Sequence, residues 1–128
     1  MSGGKPSGFE MLSGYPDDVL AVSAHGRITR ADYEGVLIPE VERRAKAGKV
    51  KLLYVLGADF ASVTAGAAWD DARLGLLHWG DFSRIAVVTD VEWIRLGVKM
   101  FAPLMPCPVH LFNAAQASEA SAWISTPD

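Results

Sequence analysis

Two runs of apolar residues set the terms on which this chain can fold. Val50-Lys-Leu-Leu-Tyr-Val-Leu56 and Ser83-Arg-Ile-Ala-Val-Val-Thr89 are strand-length, aliphatic and bounded by glycine or aspartate. A strand with one wet face alternates apolar and polar residues, and Leu52 to Leu56 does not alternate. Both runs read as interior strands buried on two faces, the pattern of a mainly parallel sheet covered by helices.

The rest of the chain supplies the other layers. Phe9-Glu-Met-Leu12 reads as a short first strand and Gly14-Tyr-Pro-Asp-Asp18 as a turn. Val19-Leu-Ala-Val-Ser-Ala-His25 then returns antiparallel to the first strand, with Gly26 as its end. Thr29 and Asp32 have the spacing of a helix N-cap pair. Tyr33, Val36, Leu37, Val41 and Ala45 follow at helical steps, and Gly48 stops the helix. Pro39 inside this pattern predicts a kink, or a first turn separate from the rest. Residues 57–64 read as a loop. An alanine-rich helix follows over 65–77, closed by Trp79-Gly80-Asp81. Asp90 is placed to cap a helix over 91–101, which Pro103 and Pro106 end. Val109-His-Leu-Phe112 is the last strand. A helix over 114–124 buries Ala117, Ala120, Trp123 and Ile124. The expectation is α/β: a mainly parallel five-stranded sheet with an N-terminal β-hairpin, flanked by about four helices. Residues 9–125 form a single domain in this reading, after a flexible leader over 1–8.

Charge and cysteine content narrow the function. The 12 lysines and arginines are scattered and the net charge is -3, so there is no basic stripe of the kind that binds nucleic acid. The lone Cys107 precludes an internal disulfide and suits a reducing compartment. The N-terminal residues lack the apolar core of a signal peptide, and the apolar runs fall far short of the ~20 residues of a spanning helix. A soluble, cytoplasmic protein is expected.

Several of these segments together resemble the SpoIIAA-like family, a branch of the STAS-type folds. They are His25-Gly-Arg-Ile-Thr29 before an amphipathic helix, Leu53-Tyr-Val-Leu56, Ala68-Trp-Asp-Asp71, and Phe82-Ser-Arg-Ile-Ala-Val-Val-Thr-Asp90 closely followed by Trp93. Val109-His-Leu-Phe112 and Glu119-Ala-Ser-Ala-Trp-Ile124 complete the pattern, which covers nearly the whole chain. The resemblance implies a domain that binds protein partners, small apolar or lipid-like molecules, or membrane surfaces. STAS relatives that antagonise anti-sigma factors carry a phosphorylatable serine behind an aspartate, at the start of the helix after the third strand. The corresponding region here is Asp59-Phe-Ala-Ser-Val-Thr64, a longer and more apolar connection. Ser62 and Thr64 are the candidates for phosphorylation, and a helix cap is the simpler role for either. A phosphorylation-gated protein-interaction domain is the alternative function.

The candidate ligand-binding residues are Asp59, Phe60, Trp69, Trp93, Leu96 and Met100. A long connection after a central parallel strand lies at the carboxyl end of the sheet, where open α/β folds bind ligands. Phe60 and Trp69 would wall a pocket there, with Asp59, Arg27 or Arg95 as polar contacts. On the helix over 91–101, Ile94, Val98 and Phe101 should face the sheet. Trp93, Leu96 and Met100 form a second apolar edge near Arg95 and Lys99, continued by Leu104-Met-Pro106. That edge suits an apolar ligand with an acidic head, a membrane surface, a neighbouring helix or a second copy in a homodimer. No catalytic residue is assigned. Asp71 and His78 stand ~10 Å apart along a helix, too far to bind one ion directly at ~2 Å, so no metal site is assigned among Asp70, Asp71, His78 and Asp81. His25 and His110 have no nucleophile at a recognisable spacing, Cys107 reads as a packing residue, and no cofactor is implied.

Overall fold

The computed structural model describes residues 8–64, 66 and 80–127. Five strands, β1 (Gly8–Met11), β2 (Val19–Ile28), β3 (Val50–Val63), β4 (Phe82–Val88) and β5 (Val109–Phe112), form one sheet in the order β1-β2-β3-β4-β5. β1 runs antiparallel to β2, and every other pairing is parallel. This is the mixed α/β, mostly parallel arrangement that the apolar runs require. Gly8 already belongs to β1, opposite His25, and residues 1–7 lie outside the described residues.

Period-two alternation divides the three inner strands between two layers. Leu20, Val22 and Ala24 share one face with Leu52, Tyr54, Leu56, Ile85 and Val87, while Val19, Ala21, Leu53, Ala86 and Val88 share the other. The first face packs against α1 (Arg30–Asp32), α2 (Ile38–Ala45) and α3 (Glu92–Phe101). The second packs against α4 (Ala117–Ser125) through Ala120 and Ile124, both fully buried. Ala117 is exposed rather than part of that buried edge, because the helix begins there and its first turn stands clear of the sheet.

The first helical segment follows its sequence signals closely. The Thr29 side chain accepts from the Asp32 backbone N–H, and the Asp32 carboxylate accepts from Thr29, a reciprocal capping box. Between α1 and α2 the chain takes one wide π-helical turn, Tyr33–Leu37, in which Ile38 N–H donates to the Tyr33 carbonyl. Pro39 comes directly after it, at the start of α2, so the ring and its missing N–H are taken up where the hydrogen-bond ladder is already re-spaced. Arg44 then ties α2 to the sheet, donating to the Asp17 and Val19 carbonyls.

Three boundaries differ from expectation. Gly26 does not end β2, and residues 57–63 are strand rather than loop. The two strands lengthen together, pairing Gly26 with Phe60, Arg27 with Ser62 and Ile28 with Val63. The register slips on either side of Gly26, whose φ of +61° absorbs the irregularity. Glycine and aspartate near the slip gave the stretch a loop-like composition. Asp90 is not the cap of α3: Val91 holds that position, its N–H donating to Thr89 Oγ1, while the Asp90 carboxylate accepts from Ala114 N–H. The expected helix over 65–77 lies outside the described residues, apart from Gly66.

Burial of β3 on both sides has a measurable consequence. Leu53 is 1% exposed, and Leu53→Ala is expected to lower unfolding free energy by about 3 kcal/mol in urea titration. Met100→Ala, at a side chain 71% exposed, should stay within about 0.5 kcal/mol. A Leu53 variant as stable as the Met100 variant would contradict the two-sided core.

Candidate functional site

α3 lies over the first face of the sheet without closing onto it. None of its residues is fully buried, although Ile94 and Val98 reach the core. The gap is a cavity of about 270 Å³. Its sheet wall is Leu52, Tyr54, Leu56, Ile85 and Val87, and its helix wall is Trp93, Ile94, Val98 and Phe101. Tyr33 and Met105 also line it. No charged side chain stands among the described lining residues. Trp93 and Phe101 are 57% and 37% exposed, which makes them the rim, whereas Tyr33 and Tyr54 lie deep.

The helix wall is held in place by one side chain. Arg95 Nη1 donates to the carbonyls of Thr89 and Phe112, at the carboxyl ends of β4 and β5, at 2.8 and 3.1 Å. Arg95 therefore anchors α3 to the sheet and does not face the cavity as a ligand contact. At the deep wall the Tyr33 and Tyr54 hydroxyls hydrogen-bond to each other at 2.9 Å. Phe9 meets both rings edge-on, with centroids 5.1 and 5.7 Å away. A buried tyrosine needs a partner for its hydroxyl, and the helix and the sheet each supply one for the other.

The remaining candidates take different places. Asp59 is not a cavity residue. Its carboxylate meets His25 Nδ1 at 2.7 Å, while Glu10 meets His25 Nε2 at 2.9 Å. An ionised carboxylate only accepts, so this geometry suits a ring carrying hydrogen on both nitrogens. The buried His25 thus clamps β1 and the lengthened part of β3 onto β2. Phe60 stands beside Trp93, ring centroids 6.4 Å apart. Leu96 and Met100 point away from the cavity and, with Leu104, form an exposed apolar edge 61–71% accessible. Ser62 sits within β3 opposite Arg27, and Thr64 N–H donates to the Ile28 carbonyl, so neither occupies a helix N-cap defined among the described residues. Trp69, Asp70, Asp71 and His78 lie outside the described residues.

Three further groups are engaged elsewhere. His110 stacks on Trp123 at 4.1 Å, and Arg84 lies over the same indole at 5.5 Å. Burial pushes the Cys107 thiol above its usual range, against a smaller opposing effect of Lys49, which disfavours the reactive thiolate. The phenol pair and the His25 clamp were not foreseen from sequence. Tyr33 and Tyr54 each fall at a position expected to be buried, and the need of a buried hydroxyl for a partner was the available signal.

A family model described as SpoIIAA-like matches residues 19–125. Among solved structures, an uncharacterised protein with a SpoIIAA-like fold from Shewanella loihica PV-4 superposes with a TM-score of 0.75 at 23% identity, covering 97% of this chain and 99% of that one. At that identity the likeness bears on the fold. No match was found among curated proteins.

The clamp gives a stability prediction. His25→Ala leaves two carboxylates facing an emptied site and should cost about 2 kcal/mol in chemical denaturation. Glu10→Gln, at a half-exposed side chain, should cost under about 1 kcal/mol. Equal and negligible losses would mean that the clamp holds nothing.

Proposed function

The chain belongs to the SpoIIAA-like family, and from that premise we propose that it acts by binding, as a non-enzymatic module that takes a small apolar or lipid-like ligand beneath α3. The observation that carries this reading is the cavity itself: an apolar space between sheet and helix, with an accessible tryptophan at its rim. Such a site, apolar with a few placed polar atoms, is the usual form of a small-molecule pocket. The chemistry of the side chains supports binding over turnover. His25 is held between two carboxylates, His110 is stacked on an indole, and Cys107 is kept as a thiol.

The outer edge of α3 favours a second, compatible role. Leu96, Met100 and Leu104 are exposed together beside Lys99, a combination suited to resting on an anionic membrane surface from which a lipid-like ligand is drawn.

Titration with N-phenyl-1-naphthylamine, a neutral apolar fluorophore, tests the pocket. The native chain should bind it, and Trp93→Ala should weaken binding about 10- to 100-fold while moving the melting temperature by only a few degrees, because the indole is half in water. Unchanged affinity in that variant, or no binding by the native chain, would refute the proposal. Co-sedimentation with phosphatidylserine vesicles, lost on Leu96→Asp, tests the surface role.

A further inference from the structure

We propose that the cavity selects a neutral, compact apolar alcohol or phenol, whose hydroxyl is received by the Tyr33–Tyr54 pair at its deep end. This rests on the reading of the cavity as a ligand site and adds the chemical class of the ligand.

Four observations lead there. First, both tyrosines line the cavity at 2% and 9% exposure, so their hydroxyls are polar groups in an otherwise aliphatic and aromatic wall. Second, the rings are fixed by the edge-on contacts of Phe9 and by their mutual hydrogen bond, which places the two oxygens in advance of any ligand. Third, two hydroxyls together hold two hydrogens and four lone pairs, and their mutual bond uses one of each. Lone pairs are in surplus, so the complementary ligand group is one that donates. A hydroxyl donates, and it can also accept; a ketone or an ether only accepts. Fourth, no charged residue stands among the described lining residues. A carboxylate or phosphate entering this wall would lose its hydration with no cation to replace it, a cost far larger than one hydrogen bond returns.

Size sets the remaining limit. An apolar protein cavity of roughly 150 Å³ holds benzene. The space here, about 270 Å³, is suited to a molecule near twice that size, such as a fused bicyclic ring. A long acyl chain would have to leave through the rim at Trp93 and Phe101.

Isothermal titration of the full chain with naphthalene, 2-naphthol and 2-naphthoate separates the possibilities, because the three share one ring system. 2-Naphthol is expected to bind about tenfold more tightly than naphthalene, and 2-naphthoate more weakly than either. Tyr33→Phe and Tyr54→Phe should each remove about tenfold from naphthol affinity and leave naphthalene within twofold, so naphthalene also reports whether each variant keeps its cavity. If a variant loses naphthalene as well, the naphthol-to-naphthalene ratio in the native chain decides. Equal affinity for those two compounds would overturn the alcohol class while leaving the cavity as a ligand site. Tighter binding of 2-naphthoate would overturn it in favour of an acidic head group. No binding of any of the three would overturn the cavity reading together with this inference.

Discussion

The two-sided burial of β3 is the constraint on which the remaining structure depends. A strand with water on neither face must be covered by helices on both, and a parallel neighbour on each side then forces the chain to cross over between strands. β3 meets β2 along one edge and β4 along the other, and its side chains alternate between the two layers from Val50 to Leu56. Past Val55 no described strand pairs with it on the β4 side. The strand leaves the fully covered interior there, and the residues that follow, Asp59 and Phe60, reach the His25 clamp and the rim tryptophan. One strand therefore passes from core to candidate site along its own length.

A buried cation fixes which face carries α4. Lys51 is 2% exposed, inside the strand whose neighbours are otherwise apolar. Its ammonium meets the Asp18 carboxylate at 3.1 Å and the Thr126 carbonyl at 3.0 Å. Arg84, its register partner on β4, donates to the carbonyls of Trp123 and Thr126. These are backbone acceptors at the end of α4, which a helix leaves unsatisfied by itself. Two adjacent strands thus present cations to the one helix end that needs them. Such a charge would be costly if unpaired, and this gives the C-terminal helix a specific seat rather than a merely greasy one. With that layer settled by polar contacts, the opposite layer is free to be held by apolar packing and by the single Arg95 anchor.

What was legible in the sequence follows the range of the forces involved. The strands at 50–56 and 83–89, the opening hairpin, the Thr29 cap and the last strand were readable because each depends on local periodicity or local hydrogen bonding. The SpoIIAA-like resemblance, carried by the same segments, was readable for the same reason. The joint lengthening of β2 and β3 was not. It is decided by pairing between residues 34 or 35 apart in sequence, and the glycine and aspartate within it pointed the other way. Asp90 shows a similar limit, since a residue suited to capping one helix serves Ala114 at the start of the next helical segment instead. At the candidate site, Trp93 and Phe60 were named for their apolar surface and do lie together. Asp59 was named for its charge, which the fold directs to a histidine on the neighbouring strand. Trp69 lies outside the described residues.

The standing-off of α3 is the feature with the most bearing on function, and its cause is visible in its residues. A helix closes onto a sheet when large side chains fill its inner face, and here only Ile94 and Val98 reach inward near the middle. Trp93 and Phe101, the bulky residues at either end, reach the cavity but stay substantially in water. Arg95 sets the height of the first turn by its bonds to two strand ends, so the helix cannot settle further without breaking them. Opposite, the sheet presents two phenols whose hydroxyls satisfy each other and so do not require α3 to approach. Each side of the gap is thus stable without the other. A wall that needs no partner across the gap is what allows an apolar space to persist in a folded domain and remain available to a guest, instead of collapsing into core.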